Sequence, residues 1–289
     1  MKRILLFAAL LGAGCSIDAG KTEGKEASAK PFRVASFLPE NNYHERSYYQ
    51  AGEVTEQDFD AVLYAAEEIY GPIFEQLGLN LTLHGDWKST TVNAYCSREG
   101  DDVDISLFGG LARQKSMTTA GLAIVVCHEI GHALGGRPFY SGDGNSWAAV
   151  EGQSDYFATA ACARKMFDPS SPLRFWGRDL MRRNPSKDKS QAECGSGSSG
   201  EICRLSMAGG LSLGSVLAEL GNEKVPSYDT PSKVVVKKTM ETHPPAQCRL
   251  DSYKVGALCN KNWEDSIIPS TKAEENTVSC SKPKCWYRE

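Results

Sequence analysis

The stretch Cys127-His128-Glu129-Ile130-Gly131-His132 lies inside an apolar run from Ala120 to Leu134. A segment that is apolar nearly all round predicts a buried helix. Residues four apart share one face of a helix, so His128 and His132 can reach the same metal ion. Two histidines and a glutamate in a buried helix cost free energy unless something satisfies their polar atoms. The sequence therefore predicts a metal site on this helix.

The position of Glu129 favours zinc-assisted hydrolysis of a peptide bond. It follows the first histidine directly, where it can hold a water at the metal and act as a general base. H-E-x-x-H also occurs by chance, and the alternative interpretation is a pair of hydrogen-bonded core histidines without a metal. The apolar neighbours argue against this alternative because they offer the buried polar groups no partners.

A catalytic zinc site needs a third protein ligand and an open position for water. A histidine six residues after His132 would fall at position 138, which is Pro138, so that arrangement is excluded. Glu151 and Asp155 follow at a spacing of four, hence on one face of a second helix. We expect Glu151 to bind the metal and Asp155 to accept the other ring N–H of a ligand histidine. The alternative is an ordinary acidic helix face.

These motifs resemble the HtpX-like and CAAX-prenyl-protease family of gluzincin zinc metallopeptidases. Val92–Cys96 is similar to the family's Asn-Ala-aromatic strand, and Thr242–Arg249 is similar to its T-H-P-P-x-x-x-R sequence. The resemblance extends from Asp58 to Tyr253. It implies an α+β fold with a zincin-like (gluzincin) catalytic domain. In such a domain, a small mixed β-sheet places an edge strand over the H-E-x-x-H helix, and the glutamate-bearing helix follows.

The resemblance also implies roles for residues outside the two helices. Asn93 and Ala94 would contact the backbone of an extended peptide that adds to the open sheet edge. His243 would donate a hydrogen bond to the oxyanion of the reaction, and Arg249 would bind substrate or brace the site. From spacing alone, the same segment also fits an ordinary helix start with Pro244 in its first turn.

The N-terminus predicts export from the cytoplasm. Residues 1–15 combine a basic start and a short apolar core with a lipobox-like end at Cys15. We expect a signal peptide that is cut before Cys15, whose sulfur would carry a lipid, with cleavage near Ala19 as the alternative. Residues 16–30 are small and polar and predict a flexible tether. The expected location is the bacterial periplasm or an outer-membrane lipoprotein, alternatively a secreted protein.

The remaining composition predicts one main domain. The formal net charge of −4 gives no reason to expect nucleic acid as a partner. No other apolar stretch reaches the ~18 residues of a membrane-spanning helix, so membrane contact is expected only through the lipid. We assign residues 31–260 to the metallopeptidase domain and residues 261–289 to a cysteine-containing tail on its surface.

Ten cysteines indicate an oxidising compartment. Connectivity cannot be deduced from sequence, but the local spacings suggest Cys194–Cys203, Cys248–Cys259 and Cys280–Cys285. Cys96, Cys127 and Cys162 lie in the segments that build the metal site, and one pair among them would leave one buried thiol.

Periodicity predicts the other elements. Thr55 is a candidate cap of a first helix that ends near Leu77, and Asp58 would complete a capping box. Strands are expected at Leu79–His84, Thr90–Cys96 and Val103–Phe108, and later helices at Leu173–Arg183, Met207–Leu220, Val234–Thr242 and Pro245–Cys259.

The sequence as a whole predicts an extracytoplasmic zinc-dependent endopeptidase that holds one Zn²⁺ per chain and acts on peptides or unfolded proteins. His128, His132 and Glu151 would bind the zinc, Glu129 would move the proton, and His243 would help to hold the oxyanion. One alternative is an envelope assembly factor or chaperone-like protein that binds peptides in the same cleft with little turnover. Another is a structural zinc domain, for which the sequence offers no obvious fourth ligand.

Overall fold

The computed structural model describes residues 34–43, 52–142, 144, 146–176, 189–261 and 268–289. All of them belong to one compact unit, Pro31–Glu289. The predicted signal peptide, the lipidation site Cys15 and the predicted tether lie outside the described residues. Among the helices of the described ranges, none is long and apolar enough to span a bilayer.

The described strands form a four-stranded mixed sheet in the order β1-β3-β4-β2. They are β1 (Val34–Ser36), β2 (Asn80–Asp86), β3 (Ala94–Glu99) and β4 (Asp102–Phe108). β3 pairs antiparallel with both β1 and β4, whereas β2 runs parallel to β4. This small mixed sheet is compatible with the expected α+β fold. The zincin-like assignment stays a prediction.

The described residues also form α-helices, of which the first three along the chain contact the sheet. The helices are α1 (Glu56–Gln76), α2 (Gly109–Ala112), α3 (Thr119–Leu134), α4 (Glu151–Phe157), α5 (Ala163–Met166), α6 (Pro172–Trp176), α7 (Gly197–Gly221), α8 (Ala246–Leu258) and α9 (Lys272–Val278). A π-helical turn, Ala158–Cys162, joins α4 to α5. The predicted capping box of Thr55 and Asp58 at the start of α1 is confirmed. The predicted helix Leu173–Arg183 is described only up to Trp176, as α6.

Helix α3 lies at the centre of the molecule. It packs on β3 and β4, on α1 and α7, and on α4, which explains why an all-apolar helix is stable here. Every residue from Ala120 to Leu134 is buried. At Gly131 the backbone of α4 comes so close that an added Cβ would lie 3.0 Å from the Cα of Ser154. This close crossing brings the ligand candidates of the two helices together.

Strand β3 is not the open edge strand that we predicted. Its outer side is covered by β1, with Ser36 opposite Tyr95 and Ala35 opposite Cys96. The pairing continues past the strand, where the amide of Phe37 donates to the carbonyl of Ala94 at 3.0 Å. Because β4 occupies the other side of β3, the edges of the described sheet are β1 and β2.

The predicted helix at Val234–Thr242 is wrong. The amides of Val236 and Met240 donate to the carbonyls of Lys284 and Trp286, so this segment lies extended against the C-terminal segment. Its run of valines is β-branched, which lowers helix propensity. The prediction of a surface tail at the C-terminus is also wrong, because Trp286 is fully buried.

Disulfides join the C-terminal segment to the body of the domain. The described cysteines form the pairs Cys127–Cys162, Cys194–Cys203, Cys248–Cys285 and Cys259–Cys280, and Cys96 is a buried thiol. Of the local pairs suggested by spacing, only Cys194–Cys203 is confirmed. The others were wrong because residues 268–289 fold back over α8, which brings distant cysteines together.

Candidate metal centre

Helices α3 and α4 bring the predicted ligands into one buried group. Nε2 of His128 lies 3.2 Å from Oε2 of Glu151, and Nε2 of His132 lies 3.6 Å from its Oε1. Potential ligand atoms of the three residues all lie within 4.8 Å of one another. Their side chains are at most 1% exposed. This group could therefore bind a metal ion.

The partners of the two imidazoles fix which ring nitrogen faces the centre. Nδ1 of His128 lies 2.8 Å from Oδ1 of Asp155, and Nδ1 of His132 lies 2.8 Å from the carbonyl of Ala149. Both partners are acceptors, so both Nδ1 atoms carry the hydrogen. Each Nε2 then faces Glu151 and, in the neutral ring, carries the lone pair that a metal ion would bind. The predicted role of Asp155 as acceptor for a ligand histidine agrees with this geometry.

A cation fits this arrangement because the atoms at its centre have no other partners. Nε2 of His128, Nε2 of His132 and Oε2 of Glu151 are buried and accept no hydrogen bond. A metal ion bound between the three residues would accept the lone pairs of both Nε2 atoms and compensate the buried carboxylate. The chemistry of these donor atoms therefore suits a divalent transition metal.

Glu129 lies beside this group and is fully buried, and both of its carboxylate oxygens lack a hydrogen-bond partner. Burial raises its pKa to about 8, with an opposing contribution from His128 and a further increase from Glu151. Its protonated and ionised forms are thus close in free energy near neutral pH. A general base that must later give up its proton requires this property.

The ligands have pKa values that differ from their ordinary values in different directions. Burial lowers the pKa of His132 to about 4, which favours the neutral ring that binds metals. Burial also opposes ionisation of Glu151, but His132 and His128 outweigh it and hold the pKa of that carboxyl below its usual range. Burial lowers the pKa of His128 as well, yet Asp155 reverses this and raises it to about 9.

Asp155 is held by a second layer of partners. Nε and Nη2 of Arg249 each donate to one of its oxygens at 2.8 Å, and the hydroxyl of Tyr253 donates at 2.7 Å. Burial alone would raise the pKa of Asp155, but Arg249 and His128 lower it. The carboxylate therefore stays ionised and keeps the His128 ring in place.

Arg249 braces the site in this structure, and its predicted contact with a substrate stays a prediction. Its side chain is 1% exposed. Besides Asp155, it donates through Nη1 to the carbonyl of Phe37 at 2.7 Å. The guanidinium thus bonds the Asp155 carboxylate and a main-chain carbonyl at the same time.

His243 lies at the centre, as predicted. Its Nε2 is 3.6 Å from Oε1 of Glu151 and 2.8 Å from the carbonyl of Ser36, and its side chain is 24% exposed. The same Glu151 oxygen accepts a hydrogen bond from the Tyr140 hydroxyl at 2.9 Å. His243 is thus the one predicted donor of the centre that is partly open to solvent.

Asn93 and Ala94 are buried and do not face a free groove in this structure, and their predicted contact with an incoming peptide stays a prediction. The side chain of Asn93 accepts from the amide of Leu38 at 2.9 Å and donates to its carbonyl at 3.0 Å. The carbonyl of Ala94 accepts from Phe37. Both residues hydrogen-bond a peptide backbone, which in this structure is the backbone of the chain itself.

Sequence reasoning missed two tyrosines and one tryptophan at the site. Tyr253 lies four residues after Arg249 in α8, so the shared helix face is a signal that could have found it. Tyr140 lies in an irregular segment and Trp286 near the C-terminus, and neither has a motif. The indole of Trp286 lies 2.2 Å from the position that a Cβ on Gly152 would take, so it packs directly against the backbone beside Glu151.

Comparisons of this chain with protein-family models, with curated proteins and with solved structures found no match. The geometry of the centre is therefore the basis for assigning a function.

Proposed function

We propose that this protein is a zinc-dependent endopeptidase that acts outside the cytoplasm. The observation that carries the proposal is the convergence of His128, His132 and Glu151 within 4.8 Å, with the unpartnered carboxylate of Glu129 beside them. A structural site alone has no use for a buried carboxylate that lacks partners. A hydrolytic site needs one to move a proton.

Zinc suits the donor set best. Two neutral imidazoles and one carboxylate are typical of catalytic zinc sites, which keep a further position open. Calcium and magnesium prefer ligand sets made only of oxygen atoms.

The side chains of the site have separate roles in the proposed hydrolysis of a peptide bond. Zinc, when bound, supplies a Lewis acid that polarises the scissile carbonyl and makes water easier to deprotonate. Glu129 accepts the proton of the attacking water and passes it to the leaving amine. The ring N–H of His243, whose Nε2 contacts the Ser36 carbonyl in this structure, would donate to the oxyanion. Asp155, held by Arg249 and Tyr253, keeps the His128 ring oriented.

Disulfides support the proposed location. The described residues include the pairs Cys127–Cys162, Cys194–Cys203, Cys248–Cys285 and Cys259–Cys280. Such bonds persist in oxidising compartments such as the bacterial periplasm or the cell exterior. A lipid on Cys15 remains part of this proposal.

The test is cleavage of an unfolded fluorescent casein by the zinc-loaded protein, its Glu129→Gln variant and a matched control, Glu68→Gln. Glu68 lies exposed on α1, so the control makes the same chemical change away from the centre. We expect Glu129→Gln to keep its zinc and to lose a factor of about 10²–10⁴ in rate. We expect Glu68→Gln and the wild type to be equal. Cleavage by Glu129→Gln at the wild-type rate contradicts the mechanism.

A chaperone-like peptide-binding function is the second candidate. The closed state of the centre favours it, because Ser36–Leu38 run directly over ligands that are at most 1% exposed. It predicts that the wild type binds unfolded casein, protects it from aggregation and does not cleave it, with or without a chelator.

A further inference from the structure

The residues predicted to hold a substrate backbone all hydrogen-bond one segment of this chain, Ser36–Leu38. His243 contacts the carbonyl of Ser36 at 2.8 Å, and Arg249 donates to the carbonyl of Phe37 at 2.7 Å. Ala94 accepts from the amide of Phe37 at 3.0 Å. The amide group of Asn93 bonds both the N–H and the C=O of Leu38, at 2.9 and 3.0 Å.

These hydrogen bonds involve main-chain atoms of the segment. Main-chain contacts along an extended segment give affinity for a peptide of any sequence, whereas side-chain pockets give specificity. The main chain of Ser36–Leu38 is therefore held in the way that a peptide added beside β3 would be held. This explains why β3 has no open edge.

Phe37 provides the side-chain contacts between this segment and the metal-ligand candidates. Its ring meets the ring of the ligand His128 edge-on, with centroids 5.3 Å apart, and the guanidinium of Arg249 lies 4.4 Å from its centre. The residue is fully buried. A large apolar side chain at this point thus covers one metal ligand and fills the space beside it.

We infer that Val34–Leu38 is a built-in substitute for a bound peptide, which closes the metal centre until an extended peptide displaces it. The displacing peptide carries a large apolar residue, of the size of phenylalanine, at the position of Phe37. Exchange makes and breaks no covalent bond. That the incoming peptide is afterwards cut rests on the proposed function, whereas the exchange itself does not.

The strand part of the segment is short and borders exposed chain. Its pairing with β3 extends over Val34–Ser36 and one further hydrogen bond at Phe37. Pro39 and Glu40 follow at once and are exposed. A short strand that ends in exposed chain can exchange without unfolding of the helices that hold the metal ligands.

The first test locks the segment in place. Ala35 lies opposite the buried free thiol Cys96, at a cross-strand Cα separation of about 4.5–5.5 Å, which a disulfide can bridge. We therefore combine Ala35→Cys, or Ala35→Ser as the matched control, with Glu129→Gln so that bound peptide is not cut. The probe is a fluorescent peptide with the sequence of residues 34–41, followed by anisotropy. Disulfide formation is verified by mass spectrometry.

We expect the peptide to bind the serine control and to bind the locked variant at least about tenfold more weakly, because the internal competitor can no longer leave. A peptide with alanine at its phenylalanine position should fail to bind either protein. Equal binding by the locked variant and its control overturns the inference, and so does the absence of binding by both.

The second test weakens the internal competitor. Phe37→Ala, again with Glu129→Gln, should bind the same peptide at least about tenfold more tightly, because an internal strand competes at a high effective concentration. Phe74→Ala removes an equally buried phenyl ring from α1, so it controls for loss of stability and should leave affinity unchanged. If Phe37→Ala does not fold, the locked variant alone decides.

The two proposals fail in different ways. Peptide exchange without cleavage by the wild type leaves the inference intact and contradicts the endopeptidase. If the wild type and Ala35→Cys with its disulfide formed cleave casein at the same rate, the endopeptidase proposal stands and the exchange is contradicted.

Discussion

The metal centre and the C-terminal ion pair both bury charged side chains, but they satisfy them differently. Near the C-terminus, Lys282 and Glu275 are at most 4% exposed and bond each other. Lys282 also donates to the carbonyl of Arg137 at 3.2 Å, and the ring of Tyr287 lies 4.8 Å from its ammonium group. In the metal centre, by contrast, Nε2 of His128 and both oxygens of Glu129 have no hydrogen-bond partner.

This difference separates a polar cluster that is complete within the protein from one that could hold a metal ion. Burial and charge are common to both regions. Of these two regions, only the candidate metal centre has unpartnered atoms that converge on one point, and its residues could bind a metal ion. The C-terminal pair is complete and should matter for stability alone.

The largest expected effect tests the C-terminal pair. Glu275→Ala should lower the free energy of unfolding by about 3–5 kcal/mol, because it leaves the Lys282 ammonium buried without its counter-charge. Its zinc content should stay at the wild-type value. Denaturant unfolding with disulfides intact measures the first quantity and elemental analysis the second. Loss of zinc from this variant would contradict the view that the C-terminal pair matters for stability alone. Glu68→Ala serves as the exposed control.

The pair should also make stability depend on pH. Burial lowers the pKa of Lys282 to about 8, although Glu275 opposes the shift. The unfolded chain keeps that proton up to a pH of about 10.5. Between these values the unfolded state binds more protons, so stability rises with pH in this window, and the cost of burying the charge is fully present below pH 8.

The reference is the double variant Lys282→Met, Glu275→Gln, which neutralises both side chains. The wild type should gain stability relative to it as the pH rises from 8 toward 10.5, by a total on the order of 3 kcal/mol. Unfolding curves at pH 7.5, 8.5 and 9.5 measure the difference. A difference that stays constant with pH contradicts the assigned shift.

A smaller effect is expected from the support of the metal ligands. Asp155→Asn should weaken zinc binding by about 10- to 100-fold, because a neutral amide holds the His128 imidazole less well. Asp251→Asn is the matched control, since Asp251 on α8 accepts from the amide of Ser232 and the side chain of Gln247. Competition with a chromophoric chelator measures both affinities. Equal affinity of the two variants would show that Asp155 does not support the centre.

The smallest expected effect concerns Tyr253. Tyr253→Phe removes one hydrogen bond to Asp155, whose other partners remain. It should lower the free energy of unfolding by about 1 kcal/mol, whereas Tyr64→Phe, on a side chain that is 47% exposed, should have no effect. Thermal unfolding of the metal-free proteins gives both values. A Tyr253→Phe variant as stable as Tyr64→Phe would contradict the contribution of this bond.

The ligand helices could be predicted from sequence because their signals are local. His128 and His132 lie on one face by spacing alone, and the apolar run around them predicts burial. Glu151 and Asp155 repeat the same spacing. The crossing of α3 and α4 then depends on Gly131, a small residue inside the predicted helix.

The pairing of β1 with β3 and the course of the C-terminal segment could not be predicted because they depend on distant pairings. β1 is three residues long and has too few positions for an alternating pattern, so nothing in the sequence shows that it covers β3. The bond Cys248–Cys285 spans 37 residues, and spacing favoured the nearer Cys259. Trp286 is buried only because that segment folds back.

The most direct test of the centre is the zinc content of the purified protein after dialysis against a slight excess of the metal. The wild type and Glu68→Ala should each hold one zinc ion per chain, and Glu151→Ala should hold none. One zinc ion per chain in Glu151→Ala, or none in the wild type, would contradict the claim that His128, His132 and Glu151 share a single metal ion.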